Sequence, residues 1–86
     1  MSNIRYAWER RQGGVRPSYI LRRYNDEKLY EYPNIVGKIW MSSPKRKRWC
    51  VELVGNYETH ILGHLDRMEY KEALDAAKVL ILGNLP

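Results

Sequence analysis

Four consecutive cations, Lys45-Arg46-Lys47-Arg48, form the densest chemical feature of this chain of 86 residues. Such a run suits a polyanion, because each phosphate neutralised releases condensed counterions and makes binding fall steeply with salt. The competing reading is a solvated loop tip, since charge runs usually face water. Arg10-Arg11 and Arg22-Arg23 widen the positive surface if the N-terminal region folds beside that run. Alternatively they frame a hairpin edge against aggregation. Trp40 and Trp49 lie on either side of the run. One is expected in a core and the other on an exposed face, where an indole can stack a base or pack on a sugar.

Charge is divided unevenly along the chain. Residues 1–48 carry 12 Lys or Arg against 4 Asp or Glu, and residues 49–86 carry 3 against 6. An asymmetry of this size suggests a polyanionic partner for the first half. The acidic helix in the second half would face away from it.

Other chemistries find less support. His60, His64 and Cys50 are the conventional soft-metal ligands. Strand alternation puts both histidines on one face, roughly 13 Å apart at about 3.3 Å per residue. One ion with bonds of about 2 Å cannot span that separation, so no metal is expected. No P-loop, G-x-S-x-G or H-E-x-x-H occurs, and no enzyme or cofactor is expected. Asp66, Glu69, Glu72 and Asp75 are explained by capping and solvation of a helix. A half-buried, inert thiol is the reading for Cys50.

The elements that position these groups follow from periodicity. Ile35–Ser42, Trp49–Val54 and His60–Leu65 read as three strands, joined by the basic turn after Pro44 and by Gly55-Asn56. Tyr70, Leu74, Ala77 and Ile81 recur at helical spacing, with Ala73 and Leu80 widening the stripe. Asp66 is the expected N-cap, Glu69 its capping-box partner, and Leu65 a staple onto Tyr70. Gly83 supplies a left-handed C-terminal cap before Pro86. Upstream, Ser18–Tyr24 and Leu29–Tyr32 bracket a hairpin turn; Ile4, Tyr6 and Trp8 alternate as a strand that turns at Gly13-Gly14, while Ile4 and Trp8 are also spaced for a short helix capped by Gly13. The expected architecture is therefore α+β: a three-stranded antiparallel sheet on one C-terminal helix (residues 35–86), with an N-terminal β-hairpin extension (residues 1–34). No stretch of about 18 apolar residues and no secretory signal is seen. With a single cysteine, a reducing, cytoplasmic location is expected.

Residues 35–86 resemble the Apetala/ethylene-response-factor type of DNA-binding domain, a group that also occurs in phage and bacterial proteins beside homing nucleases and integrases. The likeness rests on Gly37-Lys38-Ile39-Trp40, Trp49-Cys50-Val51-Glu52-Leu53, Leu62-Gly63 followed by Leu65, and Ala73-Leu74-Asp75-Ala76-Ala77. The resemblance implies a sheet lying in the DNA major groove. It makes Lys38, Trp40, Glu52 and Thr59 candidate contacts, with Lys45, Arg46, Lys47 and Arg48 on phosphate. Val54 and Thr59 stand where the family often has arginine, and Ile61 where it has an aromatic. Those departures imply electrostatic binding of low sequence specificity.

The expectation is thus a small non-enzymatic protein that binds double-stranded DNA, nucleoid-associated, of the phage or mobile-element regulator or recombination-accessory kind. Its rival is a phage-type protein that binds and inhibits a host protein through Trp8, Tyr24, Tyr30 and Tyr32. Binding of RNA is a third option.

Overall fold

The structure is a computed structural model and describes residues 4–11, 13, 16–25, 34–55 and 58–85. Five strands precede one helix: β1 (Ile4–Arg10), β2 (Ser18–Asn25), β3 (Asn34–Ser43), β4 (Arg48–Val54), β5 (Thr59–Leu65) and α1 (Tyr70–Gly83). Each strand pairs antiparallel with its sequence neighbour, giving one meander in the order β1-β2-β3-β4-β5. The expected three-stranded sheet is therefore corrected to five strands. A strand has two hydrogen-bonding edges, and β4 can satisfy only one edge of β3; β2 takes the other. The hairpin return expected at Leu29–Tyr32 lies outside the described residues, and β2 pairs with β1 and β3.

Alternation sorts the side chains onto two faces. On one face Leu21, Ile39, Trp49 and Val51 meet Ala73, Ala77 and Ile81 of the helix, forming the buried cluster. Trp49 is 1% exposed, and its indole N–H donates to the Met68 carbonyl at 2.9 Å. That bond removes the penalty of burying a bare donor. The three buried helical residues fall at i, i+4 and i+8, one stripe along the helix axis.

Small residues set how close the helix lies. A Cβ built on Gly37 would stand 2.4 Å from Ile81 Cδ1 and under 3 Å from both of its γ carbons. Glycine is thus required on β3 by the approach of Ile81, not by backbone conformation.

The ends of α1 differ from the expected caps. The helix begins at Tyr70 behind Glu69, which makes no side-chain capping bond. Asp66 lies 3.5 Å from Arg48 Nε, and Glu69 engages Lys47. Both carboxylates are thereby drawn to the basic turn. Arg67 N–H donates to the Arg46 carbonyl at 3.3 Å and Met68 N–H to the Lys47 carbonyl at 3.2 Å. With its backbone committed to the turn, and Arg67 at φ 55°, this link cannot be helical. At the other end Gly83 remains inside the helix, and Asn84 closes it through bonds to the Ile81 and Leu80 carbonyls. The helix is also electrically balanced: Lys71 and Lys78 offset Glu72 and Asp75. The expected acidic helix is corrected accordingly.

Three register shifts interrupt the ladders, near Leu21/Arg22, Met41/Ser43 and Val51/Glu52. The last places Leu62 opposite no partner, so His60 aligns with Leu53 and His64 with Cys50. Since Leu53 and Cys50 point to opposite faces of β4, the histidines do too, unlike the simple alternation expected. An inserted residue reverses the facing of everything beyond it.

Replacing Gly37 by Ala should destabilise the fold by about 1–3 kcal/mol through overpacking against Ile81. Urea unfolding is the check. Gly37→Ala combined with Ile81→Val should cost less than the two single changes added together, and strict additivity would show that the close approach is not the cause.

Candidate nucleic-acid interface

The meander gathers cations at one end of the sheet. Arg10 pairs with Tyr19 at the end of β1, and Arg11 N–H donates to the Ser18 carbonyl at 3.0 Å. Met41 N–H donates to the Pro17 carbonyl at 3.1 Å, and the Arg16 guanidinium donates to the Ser42 carbonyl at 2.8 Å. Next comes the turn after Pro44, carrying Lys45, Arg46 and Lys47, with Arg48 opening β4. Arg67 joins them through its backbone bond to Arg46. Four chain segments thus bring eight cations to this end, against the acids Asp66 and Glu69.

Local chemistry explains the turn. Pro44 cannot donate to a ladder and so ends β3. Lys47 adopts φ 50°, a left-handed conformation that closes the tight connection, and its N–H donates to the Pro44 carbonyl at 3.3 Å. Lys45, Arg46, Lys47, Arg67 and Glu69 line one open concavity.

The two acids offset little of this charge. Lys47–Glu69 and Arg48–Asp66 are pairs with side chains 38–66% exposed, a class worth about 0–1 kcal/mol. Arg48 Nε also lacks a hydrogen bond although it is buried, so its contact with Asp66 is Coulombic only. Among the described residues no carboxylate pairs with Arg10, Arg11, Lys45, Arg46 or Arg67.

The face away from the helix is organised differently. Glu9, Ile20, Lys38, Glu52 and Ile61 align across all five strands. Ser18, Trp40, Cys50 and His64 align beside them. Among the described residues no second layer covers this face. Its charges are nevertheless paired. The Glu52 carboxylate, 14% exposed, lies 3.4 Å from Lys38 Nζ and accepts the Trp40 indole N–H at 3.0 Å. Arg22 pairs with Glu9, and the Arg5 guanidinium sits 4.9 Å over the Tyr24 ring. On this face Ile20 is 6% and Cys50 1% exposed.

The sequence candidates therefore fall into three groups. Lys45, Arg46, Lys47 and Arg48 share the cationic end. Lys38, Trp40 and Glu52 converge on the open face, with Arg22 beside them. Thr59 and Arg23 belong to neither group. Thr59 opens β5 opposite Val54, at the far end of the sheet. Arg23 aligns with Tyr6 and lines a cleft with Leu53 and Leu85 on the helix side. Adjacent residues in a strand face opposite ways, which separates Arg23 from Arg22. Trp8, a proposed anchor of the rival reading, packs against the core, and its buried indole N–H has no partner among the described residues. Tyr30 and Tyr32 lie outside the described residues. Arg16 and Arg67 carried no sequence signal, because isolated arginines acquire their place only through backbone bonds.

Among the described residues no three His, Cys, Asp or Glu side chains converge to hold a metal ion, and no helix is long and apolar enough to cross a membrane. The chain matches no family model, no curated protein and no solved structure.

Burial pushes the Cys50 thiol above its ordinary value near 9.0, helped by the Glu52 carboxylate and opposed by Lys38 and Arg48. The folded chain then holds the proton to higher pH than the unfolded chain. Stability from the neutral thiol is full below the ordinary value and is lost as pH rises through the folded one. Wild type should therefore lose more stability than Cys50→Ala between about pH 7.5 and about pH 10, read from urea midpoints. Parallel losses in the two proteins would refute a buried, neutral thiol.

Proposed function

We propose that this protein binds double-stranded DNA without catalysis, gripping phosphates with the cationic end of its sheet. The observation that carries this reading is the gathering of eight cations from four chain segments beside two weakly held acids. Phosphate oxygens can displace Glu69 and Asp66 at small cost, since exposed pairs contribute so little. Arginine brings a forked donor set suited to phosphate, and lysine a mobile point charge.

Width argues for an end-on approach. Five strands at about 4.8 Å spacing give a sheet roughly 19 Å across, whereas the major groove is about 12 Å wide. The whole face is too broad to lie flat in one groove. At its end the sheet presents the turn between β3 and β4 with its neighbouring cations, which can meet the phosphates without the face entering a groove. The pairing of Lys38 and Arg22 with acids also favours the end over the face. Contacts of this kind position a protein on DNA and carry little sequence information.

Fluorescence anisotropy with a random duplex at several salt concentrations tests the proposal. Affinity should fall with salt, and replacing Lys45, Arg46 and Arg67 together by Ser should lower the magnitude of the log–log slope by roughly 2–3. Arg23→Ser, at the far end, should leave it unchanged. A slope indifferent to the triple replacement, or no binding at low salt, would reject the reading.

A further inference from the structure

The sheet extends beyond its helix, and at the cationic end this leaves a groove of about 350 Å³ on the helix side. Tyr19, Met41, Trp49 and Tyr70 line it, and its charged groups are Arg10, Lys47 and the Glu69 carboxylate that pairs with Lys47 and that a phosphate would displace. The groove owes its existence to the late start of α1: residues 67 and 68 are bonded to the basic turn, so the first helical side chain is Tyr70. That ring is 49% exposed instead of sealed into the helical stripe. Trp49, 1% exposed and fixed by its bond to the Met68 carbonyl, forms the buried floor of the groove, so Tyr70 is the ring that offers a stacking surface.

Aromatic lining beside cations has a specific chemical complement. A nucleobase offers a flat π surface for stacking, and its phosphate offers the charge that Arg10 and Lys47 would meet. An apolar peptide side chain would use the lining and leave Arg10, which no carboxylate pairs among the described residues, without a role. We propose that this groove receives an unpaired base at the end or junction of a bound duplex, with the adjoining phosphates held by Arg10 and Lys47. The inference rests on the DNA-binding reading above and adds to it a preferred substrate: duplex with a single-stranded tail.

Three labelled probes test this in anisotropy titrations at one salt concentration: a blunt duplex, the same duplex with a short thymidine tail, and the duplex with an abasic tail of equal length. The thymidine tail should tighten binding about tenfold over the blunt duplex, the scale of one stacked base. The abasic tail should give only a small part of that gain. Tyr70→Ala should erase the thymidine advantage while leaving blunt-duplex affinity unchanged, and Tyr70→Phe should preserve it. Equal affinity for all three probes would overturn the groove assignment and leave the duplex reading standing. An abasic tail as good as thymidine, or no effect of Tyr70→Ala, would also overturn it. Binding of the thymidine-tailed probe with no binding of the blunt one would sustain the groove and reject the duplex grip. If no probe bound, both would fall. A protein dimer dissociated by Tyr70→Ala would give the groove to a second copy instead.

Discussion

A helix with its side chains is about 10–12 Å across, and the sheet it packs on is roughly 19 Å wide. That mismatch governs the molecule. α1 lies over β3, β4 and β5, so the buried cluster centres on Ile39, Trp49 and Val51. Beyond the helix, β1 and β2 carry Tyr6, Trp8 and Tyr19, half-buried at its flank. Aromatics with polar tips suit such a margin, and the chain has seven tyrosines, three tryptophans and no phenylalanine, as a half-wet boundary demands. Lys78 spans part of the overhang, its ammonium donating to the Tyr6 carbonyl at 3.2 Å.

The second constraint is the clamp between the β3–β4 turn and the link before the helix. Two backbone bonds, from Arg67 and Met68 to Arg46 and Lys47, draw together segments about twenty residues apart in sequence. They fix where α1 can begin and bring Arg67 to the basic turn. They also leave Tyr70 beside the groove. Like charges repel, so a cluster of this density costs stability. The backbone bonds and the Trp49 bond to Met68 hold it in place, and a bound polyanion would relieve the repulsion. Across the open face the opposite holds, because Glu9 and Glu52 neutralise the cations there locally.

The strands of the second half and the helical stripe were legible because each is periodic over enough residues for facing to follow from spacing alone. Which of Trp40 and Trp49 is core does not follow from alternation, because the two lie on different strands; strand register buries Trp49 and ties the Trp40 indole to Glu52 on the open face. The histidines were misplaced because a bulge leaves no mark on composition, and one inserted residue flips the facing. The helix start was misplaced for an electrostatic reason: Asp66 and Glu69 have capping chemistry, but four cations nearby compete for the same carboxylates.

Local chemistry in the chain determined the three strands of the second half, the apolar stripe of the helix, and where positive charge is densest. These properties depend on residues within a few positions of one another. Tertiary pairing decided that β1 and β2 complete a single sheet, that Arg10, Arg11, Arg16 and Arg67 join the basic turn, and that Lys38 and Arg22 are silenced by acids. Those outcomes depend on strand register and on backbone bonds between distant segments, and a linear pattern of residue types carries neither.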